Sequence, residues 1–146
     1  MIEKRLYSTG LWGLYAGLIL AIHLKIVEAL TGEKVYTLLL NIDYLPIVNA
    51  VQFAEPVEVL FHLMVSVILS ILLFYVMYRL KLTSRTKVLT ITIVVNVIIA
   101  LAYYPLTALS DKTPAIADFT ALVHWVIAHI VYGLVLGLML HRSLKK

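Results

Sequence analysis

Apolar residues gather into four long blocks, at about 11–30, 57–80, 88–109 and 119–140, separated by shorter polar or basic stretches. Each block holds the roughly 20 residues that a helix needs to cross the hydrocarbon of a bilayer. Lipid offers the backbone no hydrogen-bond partners, so the blocks predict helices. The third block is rich in Val, Ile and Thr, which in water would favour a strand; its length and setting outweigh that propensity. Four crossings predict an all-α fold, a polytopic antiparallel four-helix membrane bundle forming one domain over residues 1–146.

Residues 31–56 are harder to place, because an apolar stretch is interrupted there by Asn41, Asp43, Pro46 and Asn49. A fifth crossing would bury Asp43 near mid-bilayer, at about 2.5–3.5 kcal/mol. It would also put the two termini on opposite sides. The expectation is therefore an extra interfacial helix or broken hairpin at the outer surface.

Composition changes this picture little. A hydrophobic content of 62% is too high for an ordinary soluble domain. The absence of cysteine excludes disulfides, thiolate metal sites and cysteine nucleophiles. Met1 to Arg5 is charged, but the apolar stretch that follows is too long for a signal-peptide core and lacks a small-residue cleavage site.

Charge adds orientation. Lys4 and Arg5 precede the first block, Arg79, Lys81, Arg85 and Lys87 lie between the second and third, and Arg142, Lys145 and Lys146 follow the fourth. Short loops rich in Lys and Arg stay in the cytoplasm, so both termini are expected there. The basic clusters are topology determinants, with membrane lipid as their partner and no nucleic acid implied. Apart from Glu3, the acids (Glu28, Glu33, Asp43, Glu55, Glu58, Asp111 and Asp118) fall toward the outer side.

At about 100° per residue, each block carries one polar or small-residue face. On the first, Gly10, Gly13, Gly17 and Ala21 share a face that Lys25 and Glu28 continue outward. Small residues let helices approach closely, either within the chain or as a homo-oligomer through the glycine face. Lys25 and Glu28, three apart, form a potential ion pair; Lys25 snorkelling to water is the plainer alternative. On the second, Glu55, Glu58, His62, Ser66 and Ser70 form a narrow stripe, and the two acids also suit the first turn of a helix. The third lines up Asn96, Ala100, Tyr103, Thr107 and Ser110; the fourth, Asp118, Trp125, His129, Tyr132 and Gly133.

Polar groups in lipid face the bundle interior or a water-filled cavity. The expected ligand pocket, open outward, is therefore built from Lys25, Glu28, Glu55, Glu58, His62, Ser66, Asn96, Tyr103, Asp118, Trp125 and His129. Tyr103 equally suits an interfacial anchor. The leading reading is a non-enzymatic protein that binds a proton or small polar ligand without a cofactor, in a transport, sensing or accessory role. Alternatives remain open. Glu58, His62 and His129 are a candidate zinc set, though no HExxH motif accompanies them. A b-type haem between histidines is another, but His62 matches His124 in depth and His129 in face, neither in both. Ser66, His62 and Glu58 have triad residue types at a spacing poorly suited to a triad. A structural assembly subunit, or a polar network that only fixes packing, is the bland reading.

The run HLMVS at 62–66, YPLTAL at 104–109, the HW pair at 124–125, and a Gly-rich first helix ending in Lys and Glu resemble the YagU-type bacterial inner-membrane proteins. The resemblance implies a helical inner-membrane architecture and draws attention to His62 and Pro105. It implies no reaction and no substrate.

Overall fold

In the computed structural model, which describes residues 2–42 and 53–145, every regular element is a helix. In chain order these are α1 (Ile2–Thr31), α2 (Val35–Leu40), α3 (Glu55–Arg79), α4 (Arg85–Ala100), α5 (Tyr103–Ala108) and α6 (Phe119–Lys145). Four spans are long and apolar enough to cross a membrane: Lys4–Thr31, Glu55–Arg79, Arg85–Ala108 and Phe119–Lys145. At 1.5 Å per residue each exceeds the roughly 30 Å of hydrocarbon. The chain is a multi-pass membrane protein of all-α class. Leu11, Ile22, Leu60, Ile68, Ile98 and Ile127 stay exposed on its outer faces, where lipid rather than water is their natural neighbour.

Two tight helix pairs organise the bundle. Gly13 and Gly17 of α1 lie directly on α3: a Cβ at Gly13 would come 2.7 Å from the Ser66 carbonyl oxygen and 2.9 Å from the Val67 Cα. Ser66 and Ser70 answer with hydroxyls donated to the Gly13 and Thr9 carbonyls, at 2.7 and 2.8 Å. On α6, Gly133 and Gly137 meet α4, with a Cβ at Gly137 falling within 2.3 Å of Thr92 Oγ1. Both contacts are small-xxx-small seams, the packing that lipid favours because apolar burial alone gains nothing there. The glycine face of α1 is thus taken up within the chain. Helix α1 also packs on α6, and Trp12 donates its indole N–H to Ser143 near the basic end, at 3.1 Å.

The third span is not the continuous helix expected over 88–109. It breaks at Leu101–Ala102 and resumes as α5. Pro105 explains the break, because it lacks an N–H for the Leu101 carbonyl and its ring clashes with that group. The local bonds tighten to i, i+3, with the Tyr104 N–H turned to Leu101. This leaves the Ala100 carbonyl to a side chain from another helix: Trp125 donates its indole N–H to it, at 3.0 Å.

Helix α2 lies in the stretch expected to hold an interfacial element and packs on α1 and α3. Asp43, Pro46 and Asn49 lie outside the described residues. Helix α1 ends where Gly32 takes φ 80°, a left-handed position that suits glycine. Helix α3 ends in a Schellman turn, with Leu82 N–H on the Met77 carbonyl and Lys81 N–H on that of Tyr78.

Candidate functional site

Polar side chains of the bundle gather around two adjoining spaces. The outer one is a cleft of about 530 Å³ lined by Lys25, Glu28, Tyr36, Thr37, Asn41, Glu55, Glu58 and Lys112, with Ala29 and Leu40. Lys25 was expected to pair with Glu28 along α1. Instead its Nζ reaches Glu55 Oε1 on α3, at 2.5 Å, and lies over the Tyr36 ring, 5.2 Å from its centroid. Glu28 is engaged elsewhere, accepting the Thr37 N–H and hydroxyl, both at 2.8 Å. It substitutes for an N-cap on α2, where Lys34 provides none. Tyr36 donates its phenol to Glu55, at 2.8 Å. Burial first, then that bond and the charges of Glu55, Glu28 and Glu58, raise the Tyr36 phenol well above its ordinary value. It stays a donor at any physiological pH, so Glu55 fastens α1, α2 and α3 together at this mouth.

The inner chamber, about 450 Å³, lies deeper, and Leu40, Asn41 and Glu58 line both spaces. Its walls are apolar, from Leu20, Leu39, Phe61, Val65, Leu69, Ile99, Ala102 and Leu106. Its polar lining comes from three membrane helices: His62 and Ser66 on α3, Asn96 on α4, and Trp125, His129 and Tyr132 on α6. Most of these groups already have partners. Ser66 gives its one proton to the Gly13 carbonyl, so Tyr132, 2.7 Å away, must be the donor between the two hydroxyls. Asn96 donates its amide to the Thr92 carbonyl at 2.8 Å, and His129 Nδ1 bonds the Trp125 carbonyl at 2.9 Å. His62 differs. Its buried Nε2 has no hydrogen-bond partner among the described residues.

Nine of the eleven expected pocket residues therefore line one space or the other: Lys25, Glu28 and Glu55 the outer, Glu58 both, and His62, Ser66, Asn96, Trp125 and His129 the inner. Tyr103 and Asp118 line neither. Tyr103 is fully buried and donates its hydroxyl to the Ala115 and Asp118 carbonyls, both at 3.1 Å, tying α5 to the loop before α6. Asp118 caps α6 through the Ala121 N–H, at 3.0 Å. Tyr36, Lys112 and Tyr132 join the lining from outside the expected set. Tyr132 was legible, since it sits three residues beyond His129 on the same helical face.

The geometry also bears on the chemistries weighed above. Among the described residues no three His, Asp or Glu side chains are grouped to hold a metal ion, so Glu58, His62 and His129 share a chamber without forming a chelating set. Ser66 directs its proton to Gly13 and meets Tyr132 rather than His62, which is not a triad. No protein-family model, curated protein or solved structure matches this chain.

A third cleft, of about 580 Å³, lies at the other end, lined by Lys4, Arg5, Ser8, Trp12, Arg142, Ser143 and Lys145. At the end of the bundle opposite that basic cleft, Glu33 in the α1–α2 turn lies beside Asp118. Burial, hydrogen bonding toward Asp118 and the Asp118 charge raise the Glu33 carboxyl above its ordinary 4.5, against an opposing pull from His124. An acid with a raised folded value contributes stability below its unfolded value and loses it as pH climbs through the folded one. The contact between the α1–α2 turn and the start of α6 is thus expected to loosen as pH rises from 4.5 toward neutrality. A carbon NMR titration checks this: Glu33 should titrate above 4.5, and Asp118→Asn should return it toward that value.

Proposed function

We propose that this is an inner-membrane protein, both termini cytoplasmic, whose adjoining cleft and chamber bind a small ligand delivered from the outer side or the bilayer. The role is transport, sensing or an accessory function, not catalysis. The observation that carries the reading is His62 Nε2, buried and without a partner among the described residues, in a chamber of about 450 Å³. An unmatched buried polar atom costs about 1–3 kcal/mol, which a purely structural residue has no reason to retain. A ligand supplies the missing partner. The basic cleft at one end and the Glu28–Glu55–Glu58 mouth at the other support the orientation.

Replacement of the imidazole by a similar-sized apolar ring tests this. His62→Phe is expected to hold or raise the unfolding midpoint in detergent, by about 1 kcal/mol, because the unmatched atom is removed. Destabilisation of that size would assign His62 to packing and end the ligand reading. Orientation is separately testable, since the chain has no cysteine. In intact cells an impermeant maleimide should label Lys34→Cys and spare Ser84→Cys; the opposite pattern would invert the topology.

A further inference from the structure

Among the described residues, the inner chamber reaches the bundle surface between two helices. Helices α3 and α4 are consecutive and joined by the short loop 80–84, yet their backbones do not run together, because α3 packs on α1 and α4 on α6. At the chamber rim between them Val65 is 59% exposed and Ile99 38%. Val65 lies about 15 Å below the start of α3, at 1.5 Å per residue. The opening therefore meets hydrocarbon rather than water.

The polar floor selects what enters. His62 presents a buried Nε2 that has no hydrogen-bond partner among the described residues. With the proton of the neutral ring on Nδ1, that Nε2 is an acceptor. His129 Nδ1 lies 2.9 Å from the Trp125 carbonyl, which only accepts, so its proton sits there and its Nε2 is an acceptor. Glu58, the carboxylate of this lining, stands at the mouth shared with the outer cleft. Two acceptors set among apolar walls, away from fixed cations, call for a neutral donor attached to an apolar chain.

We propose that the chamber binds a neutral, hydroxyl-bearing membrane lipid, an isoprenoid or acyl alcohol. Its hydroxyl donates to His62 Nε2, and its chain lies along Phe61, Val65, Leu69 and Ile99 and leaves between α3 and α4. This rests on the cavity being a ligand site and names the ligand class.

Nitrogen-15 NMR of histidine-labelled full-length protein in nanodiscs tests it, with farnesol, farnesyl methyl ether and glycerol as probes. Farnesol is expected to shift the His62 Nε2 resonance saturably. The ether, with the same chain and no donor, should leave it in place. Quenching of Trp125 in a Trp12→Phe background, where it is the remaining tryptophan, reports affinity independently. His62→Phe should weaken farnesol by about tenfold there, the worth of one buried hydrogen bond. Equal responses to farnesol and its ether would overturn the proposal, since partitioning alone would explain them. A shift with glycerol that farnesol does not better would keep the cavity as a ligand site and remove the lipid. No His62 response to any probe would also end the lipid assignment, while the stability of His62→Phe decides the cavity reading separately.

Discussion

Gly13→Val should pry α1 from α3 and cost about 3 kcal/mol, the upper range for overpacking a close contact. The added atoms have nowhere to go. A Cβ at this position already lies 2.7 Å from the Ser66 carbonyl oxygen and 2.9 Å from the Val67 Cα, both backbone atoms of a hydrogen-bonded helix. A flexible side chain would turn aside; a helix backbone must translate whole. That movement also lengthens the Ser66 bond to the Gly13 carbonyl and draws Gly17 away from Ser66, so the chamber floor should change with the seam. Gly10→Ala is the control on the same face, because its Cβ would meet only side-chain atoms, at 3.7 Å. Reversible unfolding in mixed micelles, followed by helicity, measures both. A Gly13→Val protein as stable as Gly10→Ala would mean that the seam is not this close.

The membrane spans were readable in the sequence because an apolar block of about 20 residues has one good solution in lipid. Inward-facing polar positions were readable for a related reason: Ser66, Asn96 and His129 have nowhere else to turn without meeting acyl chains. Pairing across helices was not. Lys25 and Glu28 are neighbours by spacing, but Glu55 and Thr37 compete for them from α3 and α2, and nothing local announces those competitors. Tyr103 and Asp118 share the stripes that pointed to a pocket, yet each is spent on the backbone at the start of α6. A stripe identifies the interior side of a helix. Whether that side meets a cavity or a neighbouring turn depends on how far apart the partner helices stand, which here follows from glycines on α1 and α6.

Those glycines also explain why there is a chamber. With α1 drawn onto α3 and α4 onto α6, each seam pulls α3 and α4 toward a different partner. Bulkier residues there would space the helices more evenly and let α3 and α4 close. The space between them is thus a consequence of unequal packing, and the interrupted third span supplies part of its wall through Ala102 and Leu106.

Trp125→Phe is expected to cost about 1–3 kcal/mol, because the Ala100 carbonyl loses its donor where lipid and apolar side chains offer no other. Pro105→Ala should make that loss smaller. With an N–H restored at 105, the Leu101 carbonyl gains its normal partner, and the Tyr104 N–H, now 3.3 Å from Leu101, can turn back to Ala100. The indole is then no longer required, and a double-mutant cycle in micelles should return a coupling of about 1 kcal/mol. Additive losses would place the Trp125 contribution in its ring packing instead, which includes His129 at 4.4 Å between centroids. Pro105→Ala alone should stabilise the third span, since proline inside a helix costs about 3 kcal/mol. It should also straighten the turn that positions Ala102 and Leu106, so farnesol quenching of Trp125 is expected to weaken while the protein becomes harder to unfold. Stability and binding moving in opposite directions would identify the break as a feature kept for the chamber; a straightened helix that binds as well as the original would show that the chamber does not depend on it.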